Sequence, residues 1–400
     1  TDAMFGELYS WYLRNPEYRS RVQKLVQSAF AGKPEDIISQ SVAKALYGEV
    51  SPYSATRLER FAACAFAHFL QYGMKLTERV EYEFKPMDMG NVMHEALESF
   101  AEEVRKRGMK WTELTEQERN EIADRCLDNI VADYGNTVLK SSARNEYMIE
   151  RTRRILRRTV WALQKQLEQG EFQPEGFEVT FGGGRIDRVD IMEDQNKVYV
   201  KVIDYKTGNT SFDLVYLYHG LQLQLMIYLD GALRVEQKKY PDKEIIPAGV
   251  FYYNIKDPMI QEKIDADVEA VSAGLMKELK MNGLVQADPE LVYRMDSSLG
   301  SIPVAFNKDG SFRKNSSVAD RTQFAVLGRY VRTKIEKIRS SILEGDAEVS
   351  PYELGKKNAC TYCPYMTVCG FDRRLSGYEF RRLKNFSDEE LWKAFDREAE

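Results

Sequence analysis

The sequence predicts a mixed α/β core enclosed by helices, on three observations. Between Gly176 and Lys206, the segments FEVTF, RIDRVDIM and KVYVKVIDYK alternate or run apolar with many β-branched residues, which indicates strands. The segment AGVFYYNI predicts a further strand after one intervening helical pattern. Long stretches with helical spacing precede and follow this block, and helices around a compact group of strands indicate the α/β class.

Helical spacing of apolar residues predicts the elements before the strands, which cover residues 1–50, 54–72, 89–106, 115–134 and 144–169. Gly48 and Ser51-Pro52 predict a turn between the first two, and Cys64 lies on the second. After the third strand, a helix is predicted from Thr210-Ser211 to about Val235.

The remaining predicted elements are again helical. Two helices lie near residues 262–281 and 318–344, and a polar stretch rich in Gly and Ser, residues 296–315, separates them. Ser387 and Glu390 form a capping box, which predicts that the last short helix begins there.

The composition is that of a globular chain without a membrane span. Of 400 residues, 43% are hydrophobic and 30% are charged, and no run of about 18 apolar residues occurs. No signal peptide is visible at the first residues, so the unpaired thiols indicate a reducing cytoplasm. A net charge of −5 argues against an extensive nucleic-acid surface. The exception is Arg151–Arg158, which is either a solvated helix face or a surface that follows phosphates.

Four of the five cysteines form a pattern that is typical of a metal centre. Cys64 stands early in the chain, and Cys360, Cys363 and Cys369 follow much later at a C-x2-C-x5-C spacing. Thiolates are soft ligands that suit an iron–sulfur cluster or zinc, and the spacing fits both. Such a centre would join two distant parts of the chain. The alternative is that these are unrelated buried cysteines, as we expect for Cys126.

Two aspartates on predicted strands are candidates for a catalytic metal site. Asp187 lies in GRIDRVD, and Asp204 ends an apolar strand that continues as Asp204-Tyr205-Lys206. Buried carboxylates need a partner or a cation, and two that converge suit Mg²⁺ or Mn²⁺. The two-residue period places Lys206 on the face of Asp204, where its ammonium could orient or activate a water. Taken alone, this D-x-K pattern is equally compatible with a structural ion pair.

Three further polar residues are candidates for the same site. His94 lies in the helical segment GNVMHEALE, where an isolated histidine is most often a satisfied core residue. Gln224 and Tyr228 share one face of a helix at positions i and i+4, which ordinary amphipathic packing also produces. The order of these residues along the chain is more specific than any one of them.

Taken in order, the motifs resemble those of a known family. G-x3-H-x2-L-E, G-x-I-D, D-Y-K-T-G and Q-L-x2-Y follow one another as in RecB-type nucleases of the PD-(D/E)XK superfamily. The cysteines resemble the iron–sulfur centre of a subset of those enzymes. The segment SPYSATRLERFAACAFAHFLQYGMKL, with FEVTFG and QLQLMIYL, resembles the nuclease region of AddB-type helicase–nuclease subunits. The resemblance spans residues 45–385 and implies a restriction-endonuclease-like mixed β-sheet flanked by helices, with helical N- and C-terminal segments joined by the iron–sulfur centre.

The resemblance also implies a role for each motif residue. The divalent metal, Mg²⁺ or Mn²⁺, would be bound by His94, Asp187, Asp204 and the backbone carbonyl of Tyr205. Lys206 would be the catalytic lysine, and Gln224 with Tyr228 would order the site or contact DNA. A [4Fe-4S] cluster would be bound by Cys64, Cys360, Cys363 and Cys369.

The activity that the resemblance implies is metal-dependent exonucleolytic hydrolysis of single-stranded DNA. The family acts on the 5′-terminated strand during double-strand-break repair by homologous recombination, with an AddA-type helicase–nuclease subunit as partner. Alternatives are a stand-alone iron–sulfur RecB-like nuclease, a catalytically silent module that binds DNA or a partner, and a structural module that contains zinc.

Two departures from the family pattern bear on the organisation of the chain. The turn Gly182-Gly-Gly184 is shorter than the insertion expected there, and no G-x4-G-K-[ST] phosphate loop occurs. We therefore expect a nuclease domain of a larger protein. Its predicted parts are a helical segment over residues 1–50, a nuclease domain over 51–385 with its catalytic core at about 88–255, and a terminal helix over 386–400.

Overall fold

The computed structural model describes residues 2–30, 37–48, 54–77, 86–133, 142–182, 184–260 and 267–399. The chain forms two compact units. The first comprises residues 1–49, 60–77 and 340–385, and the second comprises residues 50–59, 78–339 and 386–400. These units cut across the three consecutive segments that the sequence predicts, because each unit is assembled from parts that are distant in the chain.

The helices of the described residues are α1 (Asp2–Arg14), α2 (Pro16–Phe30), α3 (Gln40–Tyr47), α4 (Ala55–Ala63), α5 (Ala65–His68), α6 (Pro86–Lys106), α7 (Glu116–Asp133), α8 (Ala143–Glu168), α9 (Leu214–Tyr218), α10 (Gln224–Lys239), α11 (Val268–Glu278), α12 (Pro289–Met295), α13 (Arg321–Glu344), α14 (Met366–Cys369) and α15 (Asp388–Ala399). A π-helical turn follows α5, and a 3₁₀ turn precedes α7. None of these helices combines the length and apolar character needed to cross a bilayer.

A six-stranded mixed sheet forms the centre of the second unit. Its strands, in spatial order, are β1 (Gln173–Phe181), β2 (Gly184–Asp194), β3 (Lys197–Lys206), β4 (Glu244–Asn254), β5 (Asn282–Gln286) and β6 (Val318–Ala319). The pairs β1–β2, β2–β3 and β4–β5 are antiparallel, whereas β3–β4 and β5–β6 are parallel. The parallel step from β3 to β4 includes α9 and α10. The predicted mixed sheet flanked by helices is confirmed.

The apolar stripe of α6 explains how His94 is oriented. Met93, Leu97 and Phe100 are at most 1% exposed and belong to the main core of the second unit, as does Cys126. Because these residues recur at helical spacing, they attach one face of α6 to the core. His94 follows Met93 directly and is only partly buried, so its side chain lies at the edge of the stripe.

Buried charges join β2 and β3 on the sheet face opposite to Asp187 and Asp204. Asp190 lies opposite Lys201 across the two strands and pairs with it at 2.8 Å, and the Arg188 guanidinium donates to the same carboxylate at 2.5 Å. Burial opposes the charge of Asp190, but Arg188 and Lys201 together hold its pKa below the usual value. Since an unpaired buried charge costs about 3–5 kcal/mol, these residues stabilise the register of the two strands.

The predicted helix over residues 54–72 is wrong in one respect that concerns Cys64. The helix is interrupted there: Cys64 is extended, with φ −166° and ψ 117°, between α4 and α5. Its N–H still donates to the Arg60 carbonyl, and its carbonyl accepts from His68, both at 3.1 Å. The backbone therefore changes direction at Cys64 without losing these hydrogen bonds, and Cys64 lies at a corner rather than on a helix face.

Two other predicted helices are wrong in extent. The segment from Thr210 to Val235 contains α9 and α10, because Gly220 between them has φ +77°, in the left-handed region that favours glycine. The helix predicted from residue 318 begins at Arg321, since Val318 pairs with Val285 in the sheet. The predictions for residues 51–52, 134, 183 and 262–266 lie outside the described residues.

The first unit contains a small sheet and a small apolar cluster. The strands β7 (Tyr352–Leu354), β8 (Lys357–Asn358) and β9 (Arg381–Arg382) are arranged in the order β8-β7-β9. Ala67, Leu70 and Tyr365 are buried together, with Cys64 and Cys363 packed against them. The segments that contain the early and the late cysteines therefore share one local core.

Candidate active site

A row of three acidic side chains crosses the sheet of the second unit. The register of β1, β2 and β3 places Glu178 opposite Asp187, and Asp187 opposite Asp204. Tyr252 of β4 continues the row beside Asp204. Residues that face each other directly on neighbouring strands have their side chains on one face and close together. The carboxylates at both strand ends named in the sequence therefore converge.

Helix α6 adds an imidazole to this row. His94 Nδ1 lies 3.3 Å from Asp187 Oδ2 and 3.9 Å from Glu178 Oε1. Burial alone would lower the pKa of His94, but its interactions with Asp187 and Glu178 outweigh burial and raise the pKa to about 10. Ligand atoms of His94, Glu178 and Asp187 all lie within 4.8 Å of one another, which is a group that could bind a metal ion.

Asp204 lies outside that group of three and is bonded to the lysine. Asp204 Oδ2 is 2.5 Å from Lys206 Nζ, and the carboxylate is only 1% exposed. Burial and the neighbouring charge of Asp187 raise the pKa of Asp204 to about 7, although Lys206 opposes this shift. The Asp204 charge is therefore only partly compensated by the protein itself.

A chain of side-chain hydrogen bonds continues from Lys206 into α10. Lys206 Nζ donates to Gln224 Oε1 at 2.7 Å, and Gln224 Nε2 donates to the Tyr228 hydroxyl at 2.8 Å. Lys206 also lies over the ring of Tyr252, 5.5 Å from its centroid. The ammonium is thus held between a carboxylate and an amide.

The backbone of Tyr205 is also tied to the row. Its N–H donates to Asp187 Oδ2 at 2.7 Å, and its ring lies edge-on to that of His94 at 6.1 Å. The suggested metal contact through the Tyr205 carbonyl stays a prediction. Gly90 of the G-x3-H motif lies beside Thr207, since a Cβ there would be 3.3 Å from Thr207 Oγ1. A small residue therefore allows α6 to approach the end of β3 closely.

Two residues of this region were not predicted from the sequence. Glu178 has φ +49°, which a residue with a side chain rarely adopts, and its carboxylate also pairs with Arg185. Its only sequence signal is a carboxylate between the apolar residues of FEVTF. The second is Glu59 of α4, whose carboxylate accepts the N–H groups of Leu223 and Gln224. Burial raises the pKa of Glu59 to about 7 despite these hydrogen bonds.

The four patterned cysteines lie together in the first unit. They line one cavity with apolar neighbours, which include Phe66, Val349, Tyr365 and Phe371. Burial and the charges of the other three thiols raise the pKa of Cys360 to about 11. Within the described part of the chain, no three of these thiols lie within 4.8 Å of one another. The site is therefore wider than the group formed by His94, Glu178 and Asp187.

The arginine-rich segment of α8 is largely ion-paired. Arg153 pairs with Asp128 at 2.7 Å, Arg154 pairs with Asp257 at 2.6 Å, and Arg157 pairs with Asp124. The Arg158 guanidinium lies over the Trp161 ring at 5.7 Å. These contacts favour the interpretation as a solvated helix face.

The fold and this site together are typical of nucleases that act with a divalent metal. A mixed sheet presents neighbouring carboxylates and a lysine two residues beyond one of them, beside a helical histidine. Comparison with protein families gives the particular family: residues 52–370 match the PD-(D/E)XK nuclease superfamily, and the chain belongs to that superfamily. The predicted family is confirmed.

Curated relatives share one description, since each is the subunit designated B of an ATP-dependent helicase/deoxyribonuclease. The protein from Lachnoclostridium phytofermentans is 41% identical over 421 residues, which covers 99% of this chain and 36% of the relative. Those from Thermoanaerobacter sp. (strain X514) and Clostridium acetobutylicum are 34% and 33% identical, over 37% and 36% of their lengths. The chain thus spans little more than a third of the curated relatives it matches.

Proposed function

We propose that this chain is the nuclease region of an AddB-type subunit and hydrolyses phosphodiester bonds of single-stranded DNA. The observation that carries the proposal is the row of Glu178, Asp187 and Asp204, with His94 at one end and Lys206 at the other. A silent relative would need none of these groups to converge. The description of the curated relatives supports DNA as the substrate.

The side chains of the row fit a hard divalent cation such as Mg²⁺ or Mn²⁺. Imidazole and carboxylate groups already lie within 4.8 Å of one another, and Asp204 adds a buried carboxylate whose charge is incompletely compensated. We assign His94, Asp187, Asp204 and the Tyr205 carbonyl as ligands, with Glu178 beside them. When bound, the cation would neutralise the non-bridging oxygens of the phosphate and acidify a water.

Lys206 is the residue that we assign to the attacking water and the developing charge. Its ammonium is held by Asp204 on one side and by the Gln224 amide on the other, so its position is set before DNA binds. Tyr228 in turn orients the Gln224 amide, because its hydroxyl accepts from Nε2. Gln224 and Tyr228 therefore order the site, and their exposed edges are available to DNA.

We assign a [4Fe-4S] cluster to Cys64, Cys360, Cys363 and Cys369, where it would cross-link the segments of the first unit. A single tetrahedral zinc with Zn–S bonds of about 2.3 Å would hold its sulfurs about 3.8 Å apart. Thiols spread more widely than 4.8 Å are better suited to separate iron atoms of one cluster. Anaerobically purified protein should absorb in the visible range and contain iron and sulfide; colourless protein with stoichiometric zinc would contradict the assignment.

The wider role that we propose is resection of the 5′-terminated strand during double-strand-break repair by homologous recombination. The partner would be an AddA-type helicase–nuclease subunit in the cytoplasm, which feeds unwound DNA to this site. The support is that the relatives are described as a subunit of a helicase/deoxyribonuclease.

A direct test uses single-stranded oligonucleotides labelled at the 5′ or the 3′ end, with Mg²⁺ or Mn²⁺ and with EDTA. The expected result is metal-dependent cleavage whose earliest labelled product with the 5′ label is a short fragment. Absence of cleavage with both metals would contradict the proposed activity. Early short products from the 3′ label instead would contradict only the proposed polarity.

Glu178→Gln is expected to weaken the metal requirement rather than abolish the reaction. Glu178 lies beside His94 and opposite Asp187, so loss of its charge leaves the remaining ligands less well oriented and the site less negative. Residues that support metal ligands commonly change metal affinity by about 10–100-fold. Cleavage measured against Mg²⁺ concentration should show a half-maximal concentration at least about tenfold higher.

Glu175→Gln is a matched control for this prediction. Glu175 lies on the same strand and pairs with Lys239 at 2.8 Å, away from the row. Its Mg²⁺ dependence should equal that of the unmodified chain. If Glu178→Gln also leaves the Mg²⁺ dependence unchanged, Glu178 has no part in the site.

A further inference from the structure

Glu59 lies outside every motif of the site, yet its carboxylate is bonded to the start of α10. Glu59 Oε1 accepts the N–H of Leu223 at 2.7 Å and that of Gln224 at 3.0 Å. Leu223 occupies the N-cap position of α10, and its own side chain makes no capping hydrogen bond. The first N–H groups of a helix have no partner within the helix and carry partial positive charge. A carboxylate from a distant segment therefore supplies the missing cap.

Other carboxylate caps in the second unit are local. Asp213 caps α9 and Asp288 caps α12, and each lies directly before the helix whose N–H groups it accepts. Glu59 instead lies 164 residues before Leu223 in the chain. A cap from so far away does more than satisfy N–H groups, because it determines where the first residue of α10 lies relative to the segment that carries Glu59.

That first residue is Gln224, which holds the lysine of the site. Its backbone N–H is bonded to Glu59, and its side chain accepts from Lys206 at 2.7 Å. Lys206 is in turn 2.5 Å from Asp204. A continuous set of hydrogen bonds therefore joins Glu59 to the ammonium through a single intervening residue.

We propose that Glu59 is a positioning residue that sets the place of Lys206 by anchoring the backbone of Gln224. The proposal rests on the proposed nuclease function, and it assigns Glu59 no contact with DNA or metal. Without the cap, the first turn of α10 is free to shift, and the Gln224 amide no longer presents its oxygen to Lys206 at the required distance. Misplacements of about 1 Å can reduce rates by about 100-fold.

The test compares steady-state cleavage of single-stranded DNA by Glu59→Ala, Gln224→Ala and the double variant. Glu59→Ala should lower kcat by about 10–100-fold with little change in KM for DNA. Because Glu59 acts through Gln224, the double variant should be no slower than Gln224→Ala alone. Equal kcat for Glu59→Ala and the unmodified chain, or additive losses in the double variant, would overturn the proposal.

Two further variants separate positioning from general stability. Asp288→Ala removes a carboxylate cap of the same kind from α12, so it should lower the melting temperature and leave kcat unchanged. Glu59→Gln keeps a carbonyl oxygen that can accept both N–H groups and should recover most of kcat. If Glu59→Gln is as slow as Glu59→Ala, anchoring by hydrogen bonds is the wrong explanation.

Amide hydrogen exchange distinguishes failure of this proposal from failure of the nuclease proposal. Absence of cleavage by the unmodified chain would contradict the nuclease function only. Exchange over residues 223–228 would still report on the anchor: it should be faster in Glu59→Ala than in Asp288→Ala or the unmodified chain. Unchanged exchange in Glu59→Ala would overturn the positioning role independently of activity.

Discussion

Lys206→Ala and Asp204→Asn are each expected to reduce DNA cleavage by about a thousandfold or more. Lys206 is the cation of the site and Asp204 its most buried carboxylate, and the two are 2.5 Å apart. Groups that stabilise developing charge in a partly dry site commonly contribute about 10²–10³ in rate, and loss of a metal ligand adds to this. End-labelled single strands and far-UV circular dichroism would measure activity and folding of the same samples.

Lys243→Ala provides the matched control for the lysine. Lys243 is 28% exposed and pairs with Glu193 at 2.9 Å, whereas Lys206 is 27% exposed and pairs with Asp204. Loss of an ion pair of similar exposure should therefore leave cleavage intact when the pair is remote from the row. Undiminished cleavage by Lys206→Ala or Asp204→Asn would show that the reaction occurs elsewhere.

Asp204→Asn should also stabilise the metal-free chain as the pH rises. Burial and the charge of Asp187 raise the pKa of Asp204 from 3.8 to about 7 in the folded state. An acid whose pKa is raised on folding favours the folded state when protonated, and the fold loses that advantage between these two pH values. In EDTA, the variant should therefore melt at a higher temperature than the unmodified chain at about pH 8, with little difference at about pH 4.

Cys363→Ala is expected to abolish the iron–sulfur cluster and to destabilise the chain broadly. The cluster would close the long loop between Cys64 and Cys360, and cross-links over loops longer than 100 residues remove roughly 5 kcal/mol of chain entropy from the unfolded state. Ligand loss also exposes the apolar cavity that Phe66 and Phe371 line. Iron content, visible absorbance and thermal melting would all fall together.

Cys126→Ala separates cluster loss from ordinary core loss. Cys126 is buried in the core of the second unit and is 6% exposed. Its replacement should lower the melting temperature through a small cavity while the iron content stays unchanged. A Cys363→Ala protein with full iron content, or with an unchanged melting curve, would contradict the assigned ligands.

Strands and their polar ends could be predicted because their signals are local. The apolar runs of β2 and β3 identify both strands, and the two-residue period places Asp204 and Lys206 on one face. The order of motifs then identified the superfamily, which the match over residues 52–370 confirms. Helix boundaries were less certain where one glycine or one extended residue interrupts a continuous apolar pattern, as at Gly220 and Cys64.

Glu178 and Glu59 could not be found in this way. Glu178 joins the row only through the register of β1 on β2, and register depends on the whole pair of strands. Glu59 acts on residues 164 and 165 positions away, so no local pattern reports it. Similarly, Asp190 is stabilised by Lys201 only because β2 and β3 are paired.

The sequence by itself therefore determined the superfamily, the strand block and the identity of most candidate site residues, since these follow from residue type, spacing and order. Tertiary structure decided which acidic groups surround His94, where Cys64 turns the chain, and how α10 is anchored beside Lys206. The physical reason is that spacing along a chain specifies faces of single elements. Distances between elements are specified by pairing and packing that involve residues far apart in sequence.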